Sequence, residues 1–138
     1  MPLSRPRVVQ TAVPALASSA SEVRRTVAAQ LTHWQLTELL DNAVLATDEL
    51  FANAVRHASS GPYDTVVVTL ECFERELRVS VADSSPRLPR PRTADVAAES
   101  GRGLSIVAAL VDGWGSAPPE PGTEGKKVWF TLAIKEAT

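Results

Sequence analysis

Apolar residues recur along this chain with two periods, and the points where one gives way to the other mark its elements. The mildly apolar run from Val8 closes at Pro14 and predicts an opening strand. Ser18 to Ser21 then offers several N-cap residues, and Glu22 to Leu31 follows with helical spacing. A second, longer helix is predicted through Leu39, Leu40, Val44, Leu50, Phe51 and Val55 to Ala58, with Thr37 or a neighbour as its cap and Ser59-Ser60-Gly61-Pro62 as its stop. Asp64 to Phe73 is rich in valine and threonine. Glu76 to Asp83 alternates apolar and polar, so the two predict an antiparallel hairpin. Residues 84 to 100 lose all periodicity and read as a mobile loop. Gly103 to Val111 is apolar nearly all round, which predicts a helix sandwiched by other elements, with Gly113 at its C-terminal cap. Trp114 to Ala117 is a short strand, and Val128, Phe130, Leu132 and Ile134 share one face of a final strand. Helices precede strands, and the strands come mostly in adjacent runs. The predicted class is therefore α+β: a two-layer α/β sandwich with a mixed, mostly antiparallel sheet and helices on one face. No repeat or linker divides residues 1–138, so they read as a single domain.

Composition narrows the partners. Lys+Arg 14 against Asp+Glu 16 leaves a net charge of -2, without the electrostatic footprint of a nucleic-acid binder. Cys72 is the only cysteine, and His33 and His57 are the only histidines, which excludes a zinc site or a disulfide built within one chain. No apolar stretch approaches the roughly 18 residues needed to span a bilayer. The N-terminus has arginines, a mildly apolar run and Ala15-Leu16-Ala17. Gln10, Thr11 and Pro14 interrupt that run, so it reads as a strand of a cytoplasmic protein rather than a signal peptide.

Three groups of residues could carry chemistry. Glu49, Asn53 and His57 stand at i, i+4 and i+8 of the second helix, on one ridge that drifts about 40° per step and borders its apolar arc. A carboxylate and an amide oxygen one turn apart can hold a magnesium ion and orient a nucleophile; the competing reading is a solvated helix flank. Asp83 shares the parity of Leu77, Val79 and Val81 and so faces the buried side of the sheet, where a carboxylate needs donors. The exocyclic amino group of a purine could supply one, unless Asp83 lies past the strand and caps a turn with Ser84 and Ser85. Finally, Gly101-Arg102-Gly103-Leu104 opens the third helix, where glycines and unpaired N–H groups suit a phosphate, though an ordinary helix start reads the same way. Neither a G-x-x-x-x-G-K-[ST] loop nor a Gly-x-Ser-x-Gly elbow occurs in the chain.

In order and spacing, Glu49-Leu-Phe-Ala-Asn53-Ala-Val-Arg-His57-Ala, Val-Ser-Val-Ala-Asp83 and Gly101-Arg102-Gly103-Leu104 resemble the motifs of the GHKL ATPases. Within that superfamily the short length, the Ser84-Ser85-Pro86 after the aspartate and the Val111-Asp112-Gly113-Trp114-Gly115 run resemble bacterial anti-sigma-factor serine kinases. The resemblance implies ATP held between helices and sheet, with Asn53 on Mg2+, Glu49 as general base toward a partner serine, and Asp83 reading adenine. It also implies Gly101, Arg102, Gly103 and Leu104 at the phosphates, His57 within the same ATP-binding motif, and residues 84–100 as the ATP lid. By the same resemblance the partners are a sigma factor and an anti-anti-sigma-type protein, with no direct nucleic-acid or membrane contact and with a homodimer left open. Two departures stand out. The glycines that family members carry after the aspartate are replaced by Ser84, Ser85, Pro86 and Arg87, and an adenine-site threonine by Lys126 or Lys127. A kinase and an ATP-dependent binding switch without phosphoryl transfer therefore both remain open. A detached histidine-kinase domain would need a phosphoacceptor; His33 is the one histidine outside the motif, and nothing around it forms a dimerisation hairpin.

Overall fold

The computed structural model describes residues 5–58, 64–83, 104–117 and 126–135. The sheet is five-stranded: β1 (Arg7–Pro14), β2 (Thr65–Cys72), β3 (Glu76–Asp83), β4 (Gly113–Ala117) and β5 (Lys126–Ala133), in the order β1-β2-β3-β5-β4. Each described pairing is antiparallel. Two helices, α1 (Ala20–His33) and α2 (Leu40–Ala58), and a short helix α3 at 104–110 accompany it.

One face of the sheet carries the core. Val13, Val66, Val68, Leu70, Leu77, Val79, Val81, Phe130 and Leu132 all share the parity that the alternation predicts, and all are buried. Against them pack Val23, Val27 and Leu31 of α1 and Ala43, Ala46, Leu50 and Phe51 of α2, so both helices cover the same side. On the opposite side Trp129 lies beside Gly115, and the Arg78 guanidinium sits 5.0 Å from its ring centre.

Several local expectations are corrected. Neither long helix begins with a side-chain cap. The chain enters α1 through a 3-10 turn at Ala17–Ser19 and α2 through another at Thr37–Leu39, and neither Ser19 nor the residue before Thr37 caps through its side chain. The tighter turns satisfy backbone donors instead, as in Ser19 N–H to Leu16 O at 2.9 Å and Leu39 N–H to Leu36 O at 3.0 Å. At the other end of α1 the chain stops on Gln35 at φ 61, with Leu36 N–H on Leu31 O and Gln35 N–H on Thr32 O. That is a Schellman closure with glutamine where glycine is usual. The third helix is not sandwiched: Val107 is fully buried, yet Ile106 is 47% exposed and Ser105, Ala108 and Ala109 also face outward. Gly113 opens β4 rather than capping that helix. Asp112 N–H reaches Thr131 O at 2.9 Å and draws the chain straight into the sheet.

Candidate functional site

The connections place the candidate residues at one end of the sheet. α2 ends at Ala58 and β2 starts at Thr65, so the last turns of α2 lie at the end where Val66 pairs with Asp83. β5 starts there too, with Lys126 opposite Asp83. α2 itself lies against β3. Glu49 is half-buried on α2, and Asn53, one turn on, is only 7% exposed. Of the expected ridge, Glu49 and Asn53 stand at the border of the core, and Asn53 lies deeper than a solvated flank would. His57 occupies the last turn of α2.

Burial of Asn53 requires partners for its amide. Its Oδ1 accepts a hydrogen bond from Arg56 Nη2, three residues on along the same helix face. The sequence reading missed Arg56. That contact ties the Asn53 amide oxygen to its own helix. Among the described residues no group of three or more His, Cys, Asp or Glu could hold a metal. A Mg2+ ion, which keeps several waters and binds through few protein oxygens plus substrate phosphates, fits a site offering the Asn53 amide oxygen.

Asp83 is the last residue of β3, in register with Val66 on one side and Lys126 on the other. The alternative of a residue beyond the strand end is thus set aside: Asp83 belongs to the ladder and continues the row of Leu77, Val79 and Val81. Of the two lysines considered for the threonine position, Lys126 shares the parity of Val128, Phe130 and Leu132, while Lys127 belongs with Trp129 and Thr131 on the other side.

Leu104 is the first described residue of α3; Gly101, Arg102, Gly103 and the lid residues 84–100 lie outside the described residues. The far end of α3 is fixed by Asn42 Nδ2, which donates to Leu110 O at 3.1 Å. Leu104 lies about 9 Å back along the helix axis from that contact, at 1.5 Å per residue. Two more residues that sequence patterning passed over steady this frame. Asp112 Oδ2 accepts the Ala133 N–H at 2.7 Å, and Asp48, beside Glu49, pairs with Arg24 of α1 at 2.8 Å. Such contacts carry no sequence period, so only a fold can reveal them. The Thr47 hydroxyl is buried with no partner among the described residues.

A family model described as a histidine kinase-like ATPase domain matches residues 13–132. No curated protein matches the chain.

Proposed function

The chain belongs to the histidine kinase-like ATPase domain family, and from that premise we propose that it is a regulatory kinase, which binds ATP with Mg2+ and phosphorylates a serine or threonine of a small anti-anti-sigma-type partner while also holding a sigma factor. The observation that carries this reading is the pairing, on one ridge of α2, of a half-buried carboxylate with a buried amide one turn away, at the sheet end where Asp83 stands.

The proposed roles follow from chemistry. Asp83 accepts from the adenine amino group, and the Asn53 amide oxygen is the group that would hold Mg2+. A bound Mg2+ would supply positive charge to offset that of the phosphates. Glu49 takes the proton of the attacking serine hydroxyl as its oxygen bonds to the γ-phosphorus and the bond to the β-phosphate oxygen breaks. His57, Gly101, Arg102, Gly103 and Leu104 complete the ATP site in this proposal, with glycines that suit a close backbone approach to the phosphates.

A second reading is an ATP-dependent protein-binding switch without transfer. It is favoured by Ser84-Ser85-Pro86-Arg87 in place of the usual glycines, which removes a close backbone approach to the base. The two readings separate on one experiment: incubation of the purified protein with Mg2+, γ-labelled ATP and lysate of its own organism. Transfer to one small protein, lost in Glu49→Ala, supports the kinase. ATP binding without any labelled product supports the switch.

A further inference from the structure

We propose that Lys126 reads the nucleobase together with Asp83, and that this pair widens the site from adenine nucleotides to guanine nucleotides. The inference rests on the nucleotide-site reading above and concerns which base that site accepts.

Asp83 and Lys126 are direct partners across the antiparallel β3–β5 pair. The residues that precede Asp83 on its face, Val81, Val79 and Leu77, are buried in the core, as are Phe130 and Leu132 on the face of Lys126. Alternation therefore sets both charged residues on the helix-covered side, each as the terminal member of its core-facing row. Both are half-buried. Directly opposed residues have Cβ atoms about 4.5–5.5 Å apart, a spacing at which two side chains can address one flat ring edge. Lys127, by contrast, belongs to the other row.

A carboxylate only accepts hydrogen bonds and an ammonium only donates them. Alone, a carboxylate selects adenine, because its amino group donates whereas guanine presents the O6 carbonyl at that position. A neighbouring ammonium changes the count. Guanine can then give its N1–H and 2-amino donors to Asp83 while O6 accepts from Lys126. Adenine can give its 6-amino group to Asp83 while N1 accepts from Lys126. The ammonium sits on a flexible stem with three rotatable donors, so it serves either arrangement.

The test is calorimetric titration of ATP, GTP and ITP, each with Mg2+, into the full chain and into Lys126→Met and Lys126→Arg, with thermal melts to establish that each variant folds. Wild type is expected to bind GTP within about tenfold of ATP. Lys126→Met should lose about ten- to a hundredfold for GTP, as expected for a lost charged hydrogen bond, and a smaller factor for ATP. ITP, which keeps O6 but lacks the 2-amino group, should share the GTP loss, and Lys126→Arg should retain most guanine affinity. An unchanged ratio of ATP to GTP affinity in Lys126→Met overturns the proposal, as does a wild type that binds ATP and rejects GTP by about a thousandfold or more. Absence of binding by all three nucleotides overturns the nucleotide-site reading itself and this inference with it.

Discussion

The Asn53 side chain concentrates the chemistry of α2. The residue is buried and its amide oxygen accepts from Arg56, and in the proposed reaction the same atom would serve a magnesium ion. Asn53→Ala should abolish Mg2+-dependent ATP binding, whereas Glu49→Ala should leave binding within a few-fold of wild type and reduce phosphoryl transfer at least about a hundredfold, because a base acts on the attacking hydroxyl and not on the ground-state nucleotide. Calorimetry and a transfer assay on the two variants check this; equal transfer by Glu49→Ala and wild type would remove Glu49 from the chemistry. Cys72 belongs to a different part of the fold, at the end of β2. Burial pushes its thiol above the ordinary cysteine range, and Arg7 pulls more weakly the other way. The thiolate is therefore disfavoured in the native state. Stability from this residue is present below the unfolded thiol value of about 8.5 and is lost as pH climbs through the higher folded value. Near pH 8, alkylation of the folded protein by iodoacetamide should be slower than that of the unfolded chain, and it should accelerate as pH rises above that range. Equal rates in both states would contradict the shift.

At the scale of elements, the strands and long helices were legible because each buries one face. Val66, Val68 and Leu70 or Val23, Val27 and Leu31 announce that face by their spacing. Element ends were less legible. Ser18 to Ser21 and Thr37 look like caps, yet 3-10 turns do the capping work. Gln35 closes α1 in a left-handed conformation that sequence rules reserve for glycine. Gln35→Gly should accordingly stabilise the fold by about 0.5–1 kcal/mol, since a left-handed non-glycine residue costs about 1–2 kcal/mol and glycine returns part of that in chain entropy. A lower denaturation midpoint for Gln35→Gly would contradict this. The opposite outcome is expected at Gly115, where an added Cβ would lie 2.6 Å from the Trp129 ring. Gly115→Ala must displace that ring from beside Arg78 and should cost about 1–3 kcal/mol, read from urea unfolding with tryptophan fluorescence. The third helix misled by composition alone: an all-apolar stretch implies burial on every side, but α3 lies beside α2 with Ile106 exposed, and its one fully buried residue is Val107.

Across the whole molecule, the order of elements brings residues from α2, β3 and β5 to one end of a single sheet, though they lie far apart in the chain. Periodicity placed Glu49 and Asn53 on one helix ridge and Asp83 in a core-facing strand row, and their order along the chain singled them out. Arg56 and Asp112 could not be found that way, since an i+3 contact on a helix and a side chain clamping a neighbouring strand leave no period to read. Lys126 and Lys127 could not be told apart by sequence, whereas register sets Lys126 opposite Asp83 and Lys127 in the other row, because a one-residue difference exchanges the two faces of a strand. Among the described residues no helix is long and apolar enough to cross a membrane. Binding of ATP with Mg2+ at this sheet end is read by a calorimetric titration of the purified protein with Mg-ATP, repeated with EDTA and paired with a thermal melt. Saturable binding that weakens strongly in EDTA is expected, and at a hundredfold excess over Kd the ligand should add about 2.7 kcal/mol, a rise in Tm on the order of 10 °C. No heat and no shift in Tm at millimolar Mg-ATP would contradict it.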